Sequence, residues 1–108
     1  MSNNNTNYIV SIAKILEHPK KILINENSSV VQCRVQLPLN KNKRIVSLAF
    51  WGNLAQDVEK YYNINDYVII EGFISLCPKL GNNSKVKNLK MVKVTVSKIY
   101  PFLLTSNN

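Results

Sequence analysis

Residues 47–62, SLAFWGNLAQDVEKYY, and residues 67–74, YVIIEGFI, decide how this chain is read. Approaching Gly52 the sequence alternates, with Val46, Leu48 and Phe50 on one face and Ile45, Ser47, Ala49 and Trp51 on the other. That is the pattern of a half-buried strand. Past Gly52 the period changes. Asn53 is placed as an N-cap with Gln56 three residues on, and Leu54, Val58, Tyr61 and Tyr62 recur at helical spacing. Asn63–Asp66 is a turn-forming cluster. Tyr67–Cys77 then resumes the two-residue period, with Val68, Ile70, Ile74 and Leu76 opposed to Ile69, Glu71, Phe73 and Ser75. Gly72 lies in line with the first set, where a curved sheet bends.

Working outward, Tyr8–Leu16 is an apolar, β-branched run stopped at His18-Pro19, since proline cannot donate to a ladder. Ile22–Ile24 reads as its bent continuation. Val30–Leu37 alternates cleanly, Val31, Cys33, Val35 and Leu37 against Gln32, Arg34 and Gln36. A polar turn, Pro38–Asn42, joins it to Lys43–Trp51. Downstream, Gly81-Asn82-Asn83 signals a hairpin loop. Lys85–Tyr100 is a last strand, with Val92, Val94 and Val96 inward and Lys93, Thr95 and Ser97 outward, closed by Pro101. Three strands, a helix and two strands predict an all-β chain. The architecture is a five-stranded OB-fold Greek-key barrel with one short helix between strands 3 and 4. The domain spans residues 7–100, with 1–6 and 101–108 as short flexible termini.

At 108 residues and 45% apolar composition the chain builds one core. Its net charge of +8 favours a polyanionic partner, because lysines and arginines on phosphates release condensed counterions. No apolar run reaches the roughly 20 residues of a membrane span, so no membrane partner is expected. Cys33 and Cys77 lie in apolar strands without CxxC spacing and read as reduced core thiols. His18 has no metal ligand at motif spacing, and Glu71 no catalytic partner, which suggests a cross-strand or loop ion pair for it. No GxSxG, P-loop or HExxH motif occurs. Neither an enzyme nor a cofactor is expected. Residues 1–7 carry no secretory or transit-peptide pattern, so an organellar site of action implies an organellar gene.

The segments quoted at the outset resemble the third strand, helix and fourth strand of the bacterial single-stranded DNA-binding protein family. The family's aromatic-glycine pair, Leu-Ala helix start, tyrosine at the helix end and Glu-Gly strand stand here as Trp51-Gly52, Leu54-Ala55, Tyr61 and Glu71-Gly72. Asn7 and the turn at Pro19 look like the family's opening, with Ala13 where glycine is usual. The resemblance extends to short plastid-encoded members and to primosomal replication protein N, and it implies a homo-oligomer, dimer or tetramer. It points to the plastid (chloroplast), with the bacterial cytoplasm as the alternative.

The family stacks bases on sheet aromatics within a basic groove. Only Trp51 keeps an aromatic at those positions. Ile45 stands at one usual tryptophan position and Lys79 at another. The resemblance therefore implies sequence-tolerant binding of single-stranded DNA in replication, recombination or repair. The site expected is Trp51, Arg34 and Phe73 with the lysines and arginine of two loops: Lys43 and Arg44, then Lys79, Lys85, Lys87 and Lys93. The alternatives are an interaction module for other replication proteins and a binder of single-stranded RNA. Strand one offers Tyr8, Val10 and Ile12 as an oligomer face.

Overall fold

The computed structural model describes residues 7–38, 43–78 and 90–105. In chain order they form β1 (Tyr8–Ile15), β2 (Lys20–Asn25), β3 (Ser28–Pro38), β4 (Lys43–Phe50), α1 (Gly52–Tyr61), β5 (Tyr67–Pro78) and β6 (Lys90–Leu103). The strands hydrogen-bond in the order β1-β5-β6-β4-β3-β2, and β1 returns to β3 through Lys14 opposite Gln36 and Ile15 opposite Val35. That return closes the barrel. Among the described residues only β4 and β6 run parallel, over Ser47–Ala49 and Lys93–Thr95.

β1 and β2 behave as one bent strand along β3. From Lys14 opposite Gln36 to Lys20 opposite Gln32, the first chain advances six residues while β3 advances four. The surplus is absorbed at Leu16–Pro19, where the Leu16 N–H still donates to the Arg34 carbonyl at 3.0 Å. The result is the expected five-stranded OB-fold barrel, with β2 as the continuation of the first strand.

The inward residues of β3 and β4, Val31, Cys33, Val35, Val46, Leu48 and Phe50, are all buried, as their alternation predicts. Ala55, Val58 and Tyr62 join the same core from α1 and its end. Burying each of the valine, leucine and phenylalanine side chains among them stabilises by about 1.5–3 kcal/mol. Burial also pushes the Cys33 thiol up to about 12, with Glu17 adding to the shift, so Cys33 is an inert core thiol.

Several local expectations change. Trp51, not Asn53, is the N-cap residue of α1, and it makes no side-chain cap bond. The chain enters the helix through Gly52 at φ +64°, a left-handed conformation open to glycine, so the helix starts one residue before Asn53. At the other end Tyr61 is exposed while Tyr62 is buried, because the extended backbone of Tyr62 ends the helix and turns its ring inward. Ala49, expected outward, is buried: its methyl is the shortest side chain in its row, between Gln32 and Thr95. Leu76, expected inward, is exposed, because β5 and β6 continue there as a two-stranded ribbon past the barrel wall. Finally, β6 does not stop at Pro101 but runs to Leu103. Pro101 sits at a register irregularity opposite Val68, where β6 has β5 alone beside it and the missing N–H costs nothing.

Two positions hold this geometry. Gly72 sits at the second irregularity between β5 and β6, where a Cβ would collide with the Thr95 carbonyl oxygen and lie 2.9 Å from the Val96 Cα. Both obstacles are backbone, so Gly72→Ala is expected to lower unfolding stability by about 1–3 kcal/mol, read from the urea midpoint.

Asp66 is 1% exposed, and its carboxylate accepts three hydrogen bonds: from the Asn63 N–H (2.8 Å), the Thr105 N–H (2.8 Å) and the Thr105 hydroxyl (2.7 Å). Burial works to raise its pKa, but these donors outweigh it and hold the carboxyl below the ordinary aspartate value. A depressed folded pKa gives stability that is complete above the unfolded value of about 4 and is lost as pH falls through the folded one. Wild-type stability should therefore drop between about pH 5 and pH 2, and Asp66→Asn should be less stable at neutral pH with a shallower acid loss. An identical acid profile for the two proteins would show that Asp66 contributes nothing.

Candidate nucleic-acid interface

The strand registers place outward residues of separate strands side by side. One row runs Arg34, Ser47, Lys93, Ser75 across β3, β4, β6 and β5. The next runs Gln32, Ala49, Thr95, Phe73, Tyr8, ending on β1. With strands about 4.8 Å apart, the second row spans about 19 Å of the barrel's outer wall. Of the residues expected in the site, Arg34, Lys93 and Phe73 thus share one face. Ile45 is exposed on the same face opposite Gln36, so the position that the resemblance reads as a tryptophan site is outward here but aliphatic.

Phe73 is 48% exposed and packs edge-on against Tyr8, with ring centroids 4.9 Å apart at 68°. The Tyr8 hydroxyl donates to Glu71 Oε1 at 2.7 Å, and the Ser97 hydroxyl donates to the Glu71 carbonyl at 3.1 Å. Glu71 is therefore held by a hydrogen bond from Tyr8 instead of the expected ion pair. Sequence spacing separates Tyr8 from Phe73 by most of the chain. Only the β1–β5 register, which sets them opposite each other, reveals the aromatic pair.

Arg34 is not free. Its Nη2 lies 3.2 Å from Glu17 Oε1 and its backbone N–H donates to Glu17 Oε2 at 3.0 Å. Partial burial works to raise the Glu17 pKa, but the Arg34 contacts, helped by Lys20, outweigh it and leave the carboxyl lowered. Glu17 was not among the expected site residues, because its place in the turn before Pro19 gives no hint that β1 and β3 meet there.

Trp51 and Arg44 lie at opposite ends of β4, seven residues or about 23 Å apart. Trp51 is 44% exposed and lines a groove of about 390 Å³ between the β2–β3 hairpin and the start of α1, with Lys21, Ser28, Ser29, Asn53 and Gln56. Arg44 shares the inward parity of Val46 and stands at an apolar mouth of the barrel beside Leu37, Ile74 and Val92. The backbone of Lys43 begins β4. Lys79, Lys85 and Lys87 lie outside the described residues.

Among the described residues there is no cluster of three or more metal-ligating side chains, and no helix is long and apolar enough to cross a membrane. The face offers cations, the Phe73–Tyr8 pair and hydroxyls, with Trp51 apart from it in the groove beside α1, a surface suited to holding a polyanion.

No protein-family model matches the chain. The ycf41 protein of Trieres chinensis, named for a proposed single-stranded DNA-binding activity, is 41% identical over 104 residues, covering 93% of this chain and 92% of its own. Three solved structures share the fold. The SSB domain of a Synechococcus protein superimposes with a TM-score of 0.69 at 21% identity, covering 91% of this chain and 98% of that one. The second single-stranded DNA-binding protein of Mycobacterium smegmatis gives 0.67 at 19%, covering 88% and 87%. The small single-stranded DNA-binding protein of Streptomyces coelicolor gives 0.72 at 12%, covering 89% and 92%.

Releasing Arg34 tests whether its pairing restrains the face. Glu17→Gln keeps an acceptor for the Arg34 N–H and removes the competing charge. It should tighten oligo-dT binding up to about fivefold at low salt, the worth of an exposed ion pair. Unchanged or weaker binding would place Arg34 outside the interface.

Proposed function

Because this chain belongs to the single-stranded DNA-binding protein family, we propose that it holds single-stranded DNA on the outer wall of the barrel, with little regard to sequence. The observation that carries this reading is the cross-strand register. It brings Arg34, Lys93 and Phe73, which are far apart in sequence, onto one face of the sheet. Phosphates are held by charge, one base stacks on Phe73 and another on Trp51 at the rim. The net charge of +8 supplies the long-range attraction. Lys43 and Arg44 at the start of β4 extend the basic track, and Lys79, Lys85 and Lys87 are further cations of this reading. The protein works as a homo-oligomer in replication, recombination or repair. The plastid is its site of action, a reading supported by the likeness to the ycf41 protein of Trieres chinensis.

A second reading is favoured by the Arg34–Glu17 pair and by Ile45. With one cation engaged and an aliphatic where relatives stack a base, the same face suits another replication protein.

Trp51 is the sole tryptophan, so its fluorescence reports this site without ambiguity. Titration with oligo-dT at several salt concentrations should quench it, with affinity falling steeply as salt rises. Trp51→Ala should weaken binding by about 1–3 kcal/mol. Absence of binding at low salt overturns the DNA reading in favour of the interaction module, and a marked preference for oligo-U over oligo-dT of equal length turns it to RNA.

A further inference from the structure

The groove beside Trp51 is a recess with an apolar floor and polar sides. Val31 of β3 and Ala55 of α1 line it and are both buried. One side is α1, where Asn53, Gln56 and Glu59 follow one another at three-residue spacing and so are neighbours on the helix surface. The other side is the β2–β3 hairpin, with Lys21 of β2 and the hydroxyls of Ser28 and Ser29. At about 390 Å³ the groove falls within the roughly 300–1,000 Å³ of small-ligand sites, room for one nucleotide.

Its polar groups are unspent. Among the described residues no ion pair engages Lys21 or Glu59, and no hydrogen bond engages the amides of Asn53 and Gln56 or the hydroxyls of Ser28 and Ser29. The two charged groups come from opposite sides. Glu59, partly buried, only accepts hydrogen bonds, and Lys21, exposed, only donates them. Guanine fits that division. Its O6 and N7 form an acceptor pair, the usual target of a lysine or arginine, and its N1–H and N2 amino group form an adjacent donor pair that suits a carboxylate. Thymine instead sets one N–H between two carbonyls, and adenine and cytosine place acceptors beside their amino groups, where a carboxylate is repelled. A purine also lays two fused rings on the indole of Trp51, where a pyrimidine lays one.

We propose that this groove selects guanine: the base stacks on Trp51, turns its donor edge to Glu59 and its acceptor edge to Lys21, and leaves the amides and hydroxyls to complete the contacts. The proposal rests on the reading of the chain as a holder of single-stranded DNA and gives one of its stations a base. The wall still holds the rest of the strand by charge with little regard to sequence, so the preference belongs to one nucleotide of the bound segment.

The test is the affinity of the full chain for fluorescein-labelled oligo-dT of one length, followed by anisotropy, unchanged or with dG, dA, dC or deoxyinosine at one central position. The dG oligonucleotide should bind about fivefold or more tighter than all-dT and tighter than the dA and dC versions, the lower end of what a two-hydrogen-bond base contact is worth. Deoxyinosine keeps O6, N7 and N1–H but lacks the N2 amino group, so it should fall between dG and dT. Glu59→Ala should bring the dG-to-dT ratio close to one. Removing a negative charge favours phosphate binding on every oligonucleotide alike, so a fall in that ratio reports the base and not the charge. Circular dichroism checks that the variant is folded, and Gln56→Glu, on an exposed residue of the same stripe, supplies a folded control in which the groove keeps its acceptor and the dG preference should persist. Binding of all the oligonucleotides with equal affinity, a preference for dA or dC, or a dG preference that survives Glu59→Ala overturns the guanine site and leaves the DNA reading standing. Failure to bind any of them at low salt overturns both.

Discussion

The buried carboxylate of Asp66 is where three distant stretches of chain are fastened together. Its oxygens take the N–H of Asn63 at the exit of α1 and both donors of Thr105 beyond β6, while its own carbonyl takes the Ile15 N–H at the end of β1. The Asn65 N–H returns a bond to the Ile15 carbonyl at 2.7 Å. A charge this deeply buried is tolerable only when its lone pairs are met, and here two backbone N–H groups and a threonine hydroxyl meet them. The same corner fixes where β5 starts, and hence which of its residues point outward. The register that sets Phe73 beside Tyr8 and Ser75 beside Lys93 is inherited from it.

Gly72 completes that constraint from within the sheet. β5 has to serve the barrel wall at Val68 and Ile70 and then leave it as a ribbon with β6, so it must bend against the Thr95–Val96 backbone. The bend separates a buried half of β5 from an exposed half that carries Phe73, Ser75 and Leu76. Fold and site are thus coupled through one close backbone approach: whatever flattened the sheet at Gly72 would also move Phe73 away from the row it shares with Gln32 and Thr95.

Much of the barrel was legible in the sequence because alternation is a local signal. Val31 through Leu37 and Val46 through Phe50 announce their buried faces with a two-residue period, and the family-like Trp51-Gly52 and Glu71-Gly72 pairs fix the helix between two strands. What stayed hidden depends on contacts between remote segments. Asp66 looks like one more polar turn residue until Thr105 arrives, and Arg34 looks like a free outward cation until the bend of β1 brings Glu17 beneath it. Leu76 follows the inward parity of its strand, but parity says nothing about where the barrel ends. The site was legible as a set of residue types and not as a place. Register unites Arg34, Lys93 and Phe73, and leaves Trp51 and Arg44 at opposite ends of β4.

That division shapes how a nucleic acid strand would be held. Stacked bases contribute about 1–3 kcal/mol each, and the two aromatic stations lie on different parts of the surface. Phe73 belongs to the middle of the wall, already braced by Tyr8, whereas Trp51 belongs to the groove between the β2–β3 hairpin and α1. A strand engaging both must cross the rim near Lys21 and Ser29, so the β2–β3 hairpin is part of the path as well as the edge of the sheet. Few aromatics then need not mean a weak complex. In the homo-oligomer proposed above, a second barrel on the same strand would add more than any one further contact, because the second engagement is intramolecular once the first is made.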